Sequence, residues 1–336
     1  MKFLIVCSSS GGHVYPGYNF GNYLKKCGES VHYLGISNEI EERIIPSNEL
    51  TTFTVPKSFK KSLKNPFLTF KTLKKINSFI ADFEVIVGFG GFITFLVSIC
   101  PKIKEKMFYL HEANIDIGDS NKYSLKRAKG IFTSFKNTKI KTKKKVYYVG
   151  NPVVDSLKIK SREKKYISFI FGSLGSRTLL EKTSDYLINQ NDKNLYLLVT
   201  GKKYFSEYQK KLSQKSNIKV IDYIDRNELY SQTKLIFCRG GASTLSEVLT
   251  SQTNCVCIPS PYVKHNHQYN NAYFLFTHHA LTLIEEKNLT NDKILECLDY
   301  YQTKYGKMEL KNQQLFVMSN VSLKMYLQIK NDYQSK

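Results

Sequence analysis

A histidine ends a serine- and glycine-rich turn, SSSGGH at residues 8–13, which directly follows the first apolar segment of the chain. A turn between a strand and a helix leaves backbone N–H groups unpaired at the helix start, where they can bind an anion. A neutral imidazole placed there, on His13, can take a proton from an attacking hydroxyl group. The turn has neither the lysine of a Walker loop nor the GxGxxG spacing of a dinucleotide site. The turn by itself is therefore a weak signal for a ligand site. The competing interpretation is that His13 only caps the helix.

A second group of polar residues lies between positions 239 and 272. A Gly-Gly turn follows the apolar residues 235–238 and precedes a helix predicted over 242–250, so backbone N–H groups and the positive helix end can face a diphosphate. Glu247 in that helix is a good acceptor for two ribose hydroxyls. The loop HNHQ at residues 265–268 offers imidazole and amide groups suited to sugar hydroxyls. This order of elements is typical of a nucleotide-sugar site.

Two more turns follow apolar segments in the first half of the chain. GFGGF at residues 88–92 has glycines that let the backbone approach a ligand, although tight packing explains them almost as well. HEAN at residues 111–114 ends a predicted strand, at the edge where open α/β sheets bind ligands. Within it, His111 and Glu112 are interpreted either as structural or as supporting a residue that contacts substrate, and Asn114 is the better candidate for that contact.

In the second half, FGSLGS at residues 171–176 precedes a predicted helix, so Ser173 and the N–H groups around it can bind a diphosphate. No Asp-x-Asp motif accompanies these turns, which favours a leaving-group site built from helix ends over a metal site. Cys255 and Cys257 lie on one predicted strand without a CxxC turn, so we expect no metal there either.

The composition indicates an anionic partner. The chain has 336 residues, enough for two domains, and 50 Lys plus Arg against 28 Asp plus Glu give a net charge of +22. Part of this basicity is equally explained by the composition of an AT-rich genome. The 7 cysteines lie mostly in apolar segments and indicate reduced thiols of a cytosolic protein. No apolar run approaches the roughly 18–20 residues of a membrane span, which predicts a protein that is soluble or attached to a surface.

Short apolar strands alternate with longer amphipathic segments, which predicts parallel sheets covered by helices. The alternation restarts after a charged stretch near residues 152–165. We therefore expect one domain over 1–155, a second over 156–310, and a C-terminal helical segment over 311–336 that crosses back to the first.

Basic and apolar residues interleave over 57–67 and continue to residue 76. This pattern suits the surface of an anionic membrane, and it suits an amphipathic helix packed on its own sheet equally well. The lysine-rich residues 136–145 have few apolar neighbours and are interpreted as a solvated loop.

The turns occur in a characteristic order along the chain: SSSGGHVYPG, GFGGF, HEAN, GNPV, FGSLGS, RGGASTLSE, then IPSPYV followed by NHQYNNA. In these residues the chain resembles the MurG family of bacterial transferases. They move N-acetylglucosamine from its UDP carrier to lipid I, the undecaprenyl-linked muramyl-pentapeptide, and so form lipid II for peptidoglycan. The resemblance covers most of the chain. It implies an α/β fold of the GT-B type, with two Rossmann-like parallel-sheet domains facing across a cleft.

The resemblance also implies an inverting enzyme with His13 as catalytic base, an acceptor and membrane-facing first domain, and a UDP-sugar-binding second domain. The acceptor side or cleft would include Ser10, Gly11, Gly12, Gly90, Gly91 and Asn114. The donor side would include Ser173, Gly175, Ile224, Gly241, Thr244, Glu247, Gln268 and Asn271. The protein would lie peripherally on the cytoplasmic face of the cell membrane.

The resemblance also implies which part of the donor each residue would contact. Ile224 would contact the uracil through its backbone, Glu247 the ribose and Thr244 a phosphate. Gln268 and Asn271 would contact the sugar. We expect no tightly bound cofactor, with stimulation by a divalent cation left open.

The chain departs from the family's pattern mostly on the acceptor side. Ser8 and Ser9 replace glycines, Phe92 replaces tyrosine, Ala113 replaces glutamine, Val154 replaces arginine and Phe171 replaces glycine. Loss of the arginine removes a contact suited to phosphate. The resemblance therefore determines the donor class better than the acceptor.

Two alternatives stay open. One keeps the UDP-sugar site and transfers to diacylglycerol, as a glycolipid synthase does. The other is a non-catalytic basic protein that binds nucleic acid or membrane, although no known nucleic-acid motif occurs and we expect no nucleic-acid partner.

Overall fold

The computed structural model describes residues 1–55, 66–160, 163–172 and 175–335, with only the backbone at 66 and 67. The chain divides into two compact units. Unit 1 comprises Met1–Ser156 and Met318–Lys336, and unit 2 comprises Leu157–Val317. Residues 311–317, which we expected in the C-terminal segment, therefore belong to unit 2.

In the described part of unit 1, seven strands form one parallel sheet. They are β1 (Lys2–Val6), β2 (Ser30–Ile36), β3 (Leu50–Phe53), β4 (Val85–Gly88), β5 (Met107–Glu112), β6 (Gly130–Thr133) and β7 (Lys145–Tyr148). The strand order is β3-β2-β1-β4-β5-β6-β7. The α-helices of this unit are α1 (Gly11–Lys26), α2 (Glu41–Ile44), α3 (Pro66–Phe79), α4 (Phe92–Ile99), α5 (Asp119–Ser124) and the C-terminal α13 (Val321–Gln334).

The described part of unit 2 has a six-stranded parallel sheet. Its strands are β8 (Tyr166–Ile170), β9 (Leu195–Val199), β10 (Ile218–Ile221), β11 (Thr233–Cys238), β12 (Asn254–Cys257) and β13 (Thr282–Leu283), in the order β10-β9-β8-β11-β12-β13. The α-helices are α6 (Arg177–Asn189), α7 (Phe205–Lys211), α8 (Arg226–Gln232), α9 (Ala242–Ser251), α10 (His267–Thr277), α11 (Asn291–Gln302) and α12 (Lys304–Gln313). The predicted pair of parallel α/β domains is confirmed.

The central strands are mainly apolar because they are covered on both faces. In β1 the residues from Phe3 to Val6 have 0% exposure, and β4 and β5 are buried along their whole length. The sequence pattern missed β3, β7 and β13. All three lie at sheet edges, where β3 and β13 are half-buried and β7 is partly exposed, and each contains a single aliphatic residue.

Near the C-terminus, α12 and α13 are separate helices. The chain leaves α12 after Gln313 and starts α13 at Val321, with Asn320 in the left-handed conformation (φ 53°) between them. The Asp155 carboxylate accepts hydrogen bonds from Val321 N at 3.0 Å and Ser322 N at 2.6 Å. This acidic residue caps the positive end of α13 and holds that helix in unit 1.

Candidate active site

The turn after β1 places His13 in the first turn of α1, held by its own loop. Its Nδ1 lies 3.1 Å from the Ser8 carbonyl oxygen and 3.0 Å from Ser10 Oγ. A carbonyl oxygen can only accept, so the tautomer that this contact favours carries its hydrogen on Nδ1 and its lone pair on Nε2. A base at Nε2 is compatible with this geometry, and the catalytic role of His13 stays a prediction.

The glycines of the β4 turn pack directly against this histidine turn. A Cβ atom at Gly90 would lie 2.8 Å from His13 Nε2, and one at Gly91 would lie 2.4 Å from Ser8 Oγ. Both glycines have positive φ, 99° and 80°. The absence of a side chain at Gly90 leaves space beside the nitrogen that would take the proton. Two turns 80 residues apart thus form one site around His13.

Within the HEAN motif, Glu112 holds the loop that follows β5. The buried Glu112 carboxylate accepts hydrogen bonds from Asn114 N (3.0 Å), Asn114 Nδ2 (3.1 Å), Gly118 N (2.9 Å) and Asn121 Nδ2 (2.9 Å). It is a structural anchor that also orients the half-buried Asn114.

His111 is buried beside this anchor, and its Nε2 donates to Gly150 O at 3.0 Å. Burial lowers the pKa of His111 to about 4; the hydrogen bond to Gly150 opposes this, and the nearby His13 adds to it. His111 is therefore neutral near pH 7.

Three of the altered positions are buried apolar sites. Ala113 and Val154 are 7% exposed, and Phe171 is 4% exposed within the core of unit 2. The Phe171 side chain thus contributes to packing where the family has a glycine. At position 154, where the family has an arginine, this chain has a buried valine side chain.

In unit 2, the Gly-Gly turn after β11 lies against the start of α10. A Cβ atom at Gly240 would lie 2.3 Å from the Gln268 carbonyl oxygen. The Gln268 side-chain oxygen accepts from Ser260 N at 2.9 Å. Asn271 has 0% exposure and donates to Gly240 O at 3.3 Å. The structure therefore brings Gln268 to the turn and places Asn271 beneath it.

The α9 helix starts immediately after this turn. Gly241 is its N-cap, with Thr244 Oγ1 3.8 Å from where a Gly241 Cβ would lie, and no side chain of the described residues caps the helix start. The buried Ser243 Oγ also lacks a hydrogen-bond partner among the described residues. Uncapped N–H groups and an unsatisfied hydroxyl suit an anion at this end.

Glu247 lies further along the same helix and is 7% exposed. Its carboxylate accepts from Arg226 Nη1 at 2.6 Å and from Tyr230 OH at 3.2 Å. Burial raises the pKa of Glu247, while the charge and the hydrogen bond of Arg226 oppose this shift. Arg226 is the first residue of α8 and follows Ile224 closely in the chain, so the residues expected to contact the ribose and the uracil lie near one another in unit 2.

The turn after β8 is described only in part. Ser173, the expected diphosphate contact, lies outside the described residues. Gly175 has a φ of 71°, and a Cβ atom there would lie 2.5 Å from the Thr200 carbonyl oxygen. Glycine at this position is therefore required by close backbone approach.

Sequence reasoning missed Arg239, which connects the two anion-facing turns of unit 2. Its guanidinium donates to Ser176 Oγ (2.9 Å), Ile258 O (3.1 Å) and Glu286 Oε2 (2.6 Å). Ser176 is the N-cap residue of α6, after the turn at 171–176. An arginine directly before a Gly-Gly turn was the available signal, but its three acceptors come from distant parts of the chain.

The described residues contain no group of three or more His, Cys, Asp or Glu side chains that could hold a metal ion. Cys238 and Cys255 are buried on neighbouring strands with their Sγ atoms 3.6 Å apart, and burial and mutual proximity raise the pKa of Cys255 far above its usual value. Such thiols are inert packing groups.

The basic and apolar segment lies partly outside the described residues, which resume at α3. That helix turns Ile76 into the core and leaves Phe70 67% exposed, beside the exposed Lys71, Lys74 and Lys75. Throughout the described residues, no helix is both long and apolar enough to cross a lipid bilayer.

Two parallel α/β units, each with glycine-rich turns at the carboxyl ends of its strands, match the architecture of GT-B glycosyltransferases. Models of both halves of one family match the chain: the glycosyltransferase family 28 N-terminal domain over residues 3–133 and the glycosyltransferase family 28 C-terminal domain over residues 166–324. The chain belongs to glycosyltransferase family 28, and the predicted kinship with the MurG family is confirmed.

Curated relatives align along nearly the whole chain. The UDP-N-acetylglucosamine--N-acetylmuramyl-(pentapeptide) pyrophosphoryl-undecaprenol N-acetylglucosamine transferase of Vesicomyosocius okutanii is 29% identical over 334 residues, covering 96% of this chain and 93% of that protein. The protein of the same name from Thermoanaerobacter is 29% identical over 331 residues, covering 89% and 90%.

Solved structures share the fold. MurG of Acinetobacter baumannii superposes with a TM-score of 0.83 at 21% identity, covering 98% of this chain and 100% of that chain. A UDP-GlcNAc 2-epimerase of Neisseria meningitidis has a TM-score of 0.68 at 13% identity, covering 99% and 100%.

Proposed function

We propose that this protein is an inverting transferase that moves N-acetylglucosamine from UDP-N-acetylglucosamine to lipid I and forms lipid II. The observation that carries the proposal is that relatives named for this reaction align with both units. Both the donor half and the acceptor half of the family are therefore represented in the chain.

In the proposed reaction, the 4-hydroxyl of the muramyl sugar attacks the anomeric carbon of the donor as the bond to UDP breaks. His13 Nε2 takes the hydroxyl proton, and its Nδ1–H remains on the Ser8 carbonyl, which supports the resulting imidazolium. The negative charge that grows on the diphosphate meets the uncapped N-terminus of α9, after Gly241. Such fixed donors are commonly the largest catalytic contribution.

We propose a donor contact for each of the following side chains. Glu247 would accept the ribose hydroxyls and Ile224 would contact uracil through its backbone. Since the Gln268 side-chain oxygen already accepts from Ser260 N, its Nε2 is the atom we propose for the sugar. Asn271 is buried on Gly240 O, and we propose that it supports the turn instead of contacting the sugar.

We also propose peripheral attachment of unit 1 to the cytoplasmic face of the membrane through the outer face of α3. Phe70 offers an apolar contact, and its basic neighbours Lys71, Lys74 and Lys75 each contribute about 1 kcal/mol near an anionic surface. Substituting these three lysines by glutamine should weaken binding to vesicles of anionic phospholipid. Equal binding of the variant and the unaltered protein at low salt would refute the attachment.

The reaction is tested by UDP release with UDP-N-acetylglucosamine or UDP-glucose, each offered with lipid I. We expect release with the first donor and a product carrying one added N-acetylhexosamine by mass spectrometry. Diacylglycerol as acceptor should give none, because the relatives favour the muramyl acceptor. No release with either donor would overturn the proposal, and release only with diacylglycerol would replace it by the glycolipid synthase.

A further inference from the structure

A carboxylate that the proposed mechanism does not use lies buried beneath the His13 turn. Glu41 has 0% exposure, and its oxygens accept from Ile36 N at 2.7 Å and Ser9 N at 3.1 Å. Removing a carboxylate from water is costly, and charge-assisted hydrogen bonds to N–H groups offset that cost. Burial and the neighbouring Glu41 charge also raise the pKa of Cys7. The carboxylate therefore lies against the end of β1.

The β2 strand leaves space for this side chain. A Cβ atom at Gly35 would lie 2.6 Å from Glu41 Cγ and 2.9 Å from its Oε1. Any larger residue at Gly35 would displace the carboxylate from the two N–H groups that it accepts. The position of Glu41 is thus built into the packing of unit 1.

The bond to Ser9 acts on a strained residue. Ser9 has a φ of 69°, the left-handed region that a residue with a side chain adopts only at a cost. The MurG family pattern has glycine at this position, which adopts the conformation readily. A serine there needs support from outside the turn, and the Glu41 carboxylate supplies it on the Ser9 N–H.

The conformation of Ser9 determines where the preceding carbonyl points. The Ser8 carbonyl oxygen receives the hydrogen bond from His13 Nδ1, at 3.1 Å. In the opposite tautomer, a lone pair on Nδ1 would face the lone pairs of that oxygen, which is repulsive. The Ser10 hydroxyl, 3.0 Å from Nδ1, can donate or accept and so fits either tautomer, whereas the Ser8 carbonyl favours the one in which Nε2 accepts the proton.

We propose that Glu41 is a positioning residue for His13. It holds the left-handed Ser9, which turns the Ser8 carbonyl onto His13 Nδ1 and leaves Nε2 as the base. The catalytic part of this inference rests on the proposed function, whereas the tautomer of His13 can be measured without it.

The variant Glu41→Gln keeps the shape of the side chain and removes one acceptor. Without the Glu41 carboxylate, Ser9 should leave its strained left-handed conformation. We therefore expect kcat at saturating substrates to fall roughly 5- to 30-fold. KM for UDP-N-acetylglucosamine should not change, since the donor residues lie in unit 2. The double variant S9G/E41Q should recover most of kcat, because glycine adopts the turn without support, and Ser9→Gly alone should remain active.

Glu309→Gln is the matched control. Glu309 is also a buried carboxylate that accepts a backbone hydrogen bond, from Cys255 N at 2.9 Å, but it belongs to unit 2, whereas His13 belongs to unit 1. The variant E309Q should leave the pH profile of kcat unaltered. The variant E41Q should change the part of that profile that depends on the protonation of His13. A purely structural role of Glu41 would lower the Tm of E41Q and leave the pH profiles of both variants alike.

Nitrogen-15 NMR of the imidazole rings, with His13 assigned from the signals lost in H13A, gives the second readout. We expect the Nδ1–H tautomer in the unaltered protein and a mixture in E41Q. An active protein in which E41Q keeps both kcat and the tautomer overturns the inference, and so does failure of S9G to restore E41Q. An inactive unaltered protein overturns the proposed function instead, and the tautomer ratio still decides the role of Glu41.

Discussion

Removing the guanidinium of Arg239 should destabilise unit 2 and loosen its donor site together. Arg239 and Glu286 form an ion pair of 2.6 Å whose side chains are only 12% and 8% exposed. The variant Arg239→Ala leaves the Glu286 carboxylate buried without its cation and removes the link to Ser176. Breaking a buried pair from one side costs about 3–5 kcal/mol, because the remaining charge stays desolvated.

The same reasoning predicts a smaller loss when the charge is removed as well. In the double variant R239A/E286Q no uncompensated charge remains, so it should be more stable than R239A alone by about 1–3 kcal/mol. The matched control is Arg177→Ala. Arg177 pairs with Glu181 at a similar distance, 2.8 Å, but the side chains are 68% and 50% exposed, so its loss should barely move the unfolding midpoint.

The assay is urea unfolding followed by circular dichroism, together with UDP-release kinetics. We expect R239A to raise KM for UDP-N-acetylglucosamine, since Ser176 and the Gly-Gly turn lose their common partner. If R239A unfolds at the same urea concentration as R177A, or if E286Q makes R239A less stable, the account of this pair is refuted.

Three further outcomes are expected. His13→Ala should lower kcat by about 10²–10⁴-fold with Tm unchanged, and full turnover at saturating substrate would exclude it as the base. Gly90→Ala should also lower kcat, because its methyl group would lie 2.8 Å from His13 Nε2, and a variant with unaltered kcat would contradict that packing. Burial raises the pKa of Glu309 from 4.5 to about 7, so the folded state binds its proton more tightly than the unfolded state. The free energy of unfolding should therefore fall as pH rises from about 4.5 to 7, by up to about 3 kcal/mol, and E309Q should flatten that slope in urea titrations.

Much of the fold could be predicted because its signals are local. The buried central strands are continuous apolar runs, and each glycine-rich turn directly follows one of them. The edge strands β3, β7 and β13 carry no such signal, since a strand at an edge is less buried and its residues are not restricted to apolar types. The left-handed Asn320 between α12 and α13 could not be predicted either, because the apolar pattern of the sequence continues across it.

Parts of the candidate site could be predicted from the sequence in the same way, and other parts could not. The sequence by itself determined the turns around His13 and Gly241, because residue type and position next to a strand decide where unpaired N–H groups and an imidazole can lie. It also indicated Glu247 and Gln268 through their places in the RGGASTLSE and NHQYNNA segments.

Only the tertiary structure decided how these groups are held. Glu41 reaches Ser9 across 32 positions, and Arg239 reaches Ser176 across 63. Burial of Asn271 beneath its turn likewise depends on packing between α9 and α10. Hydrogen bonds over such separations follow from the order of strands in a sheet, whereas spacing along the chain reports only the neighbours within one element.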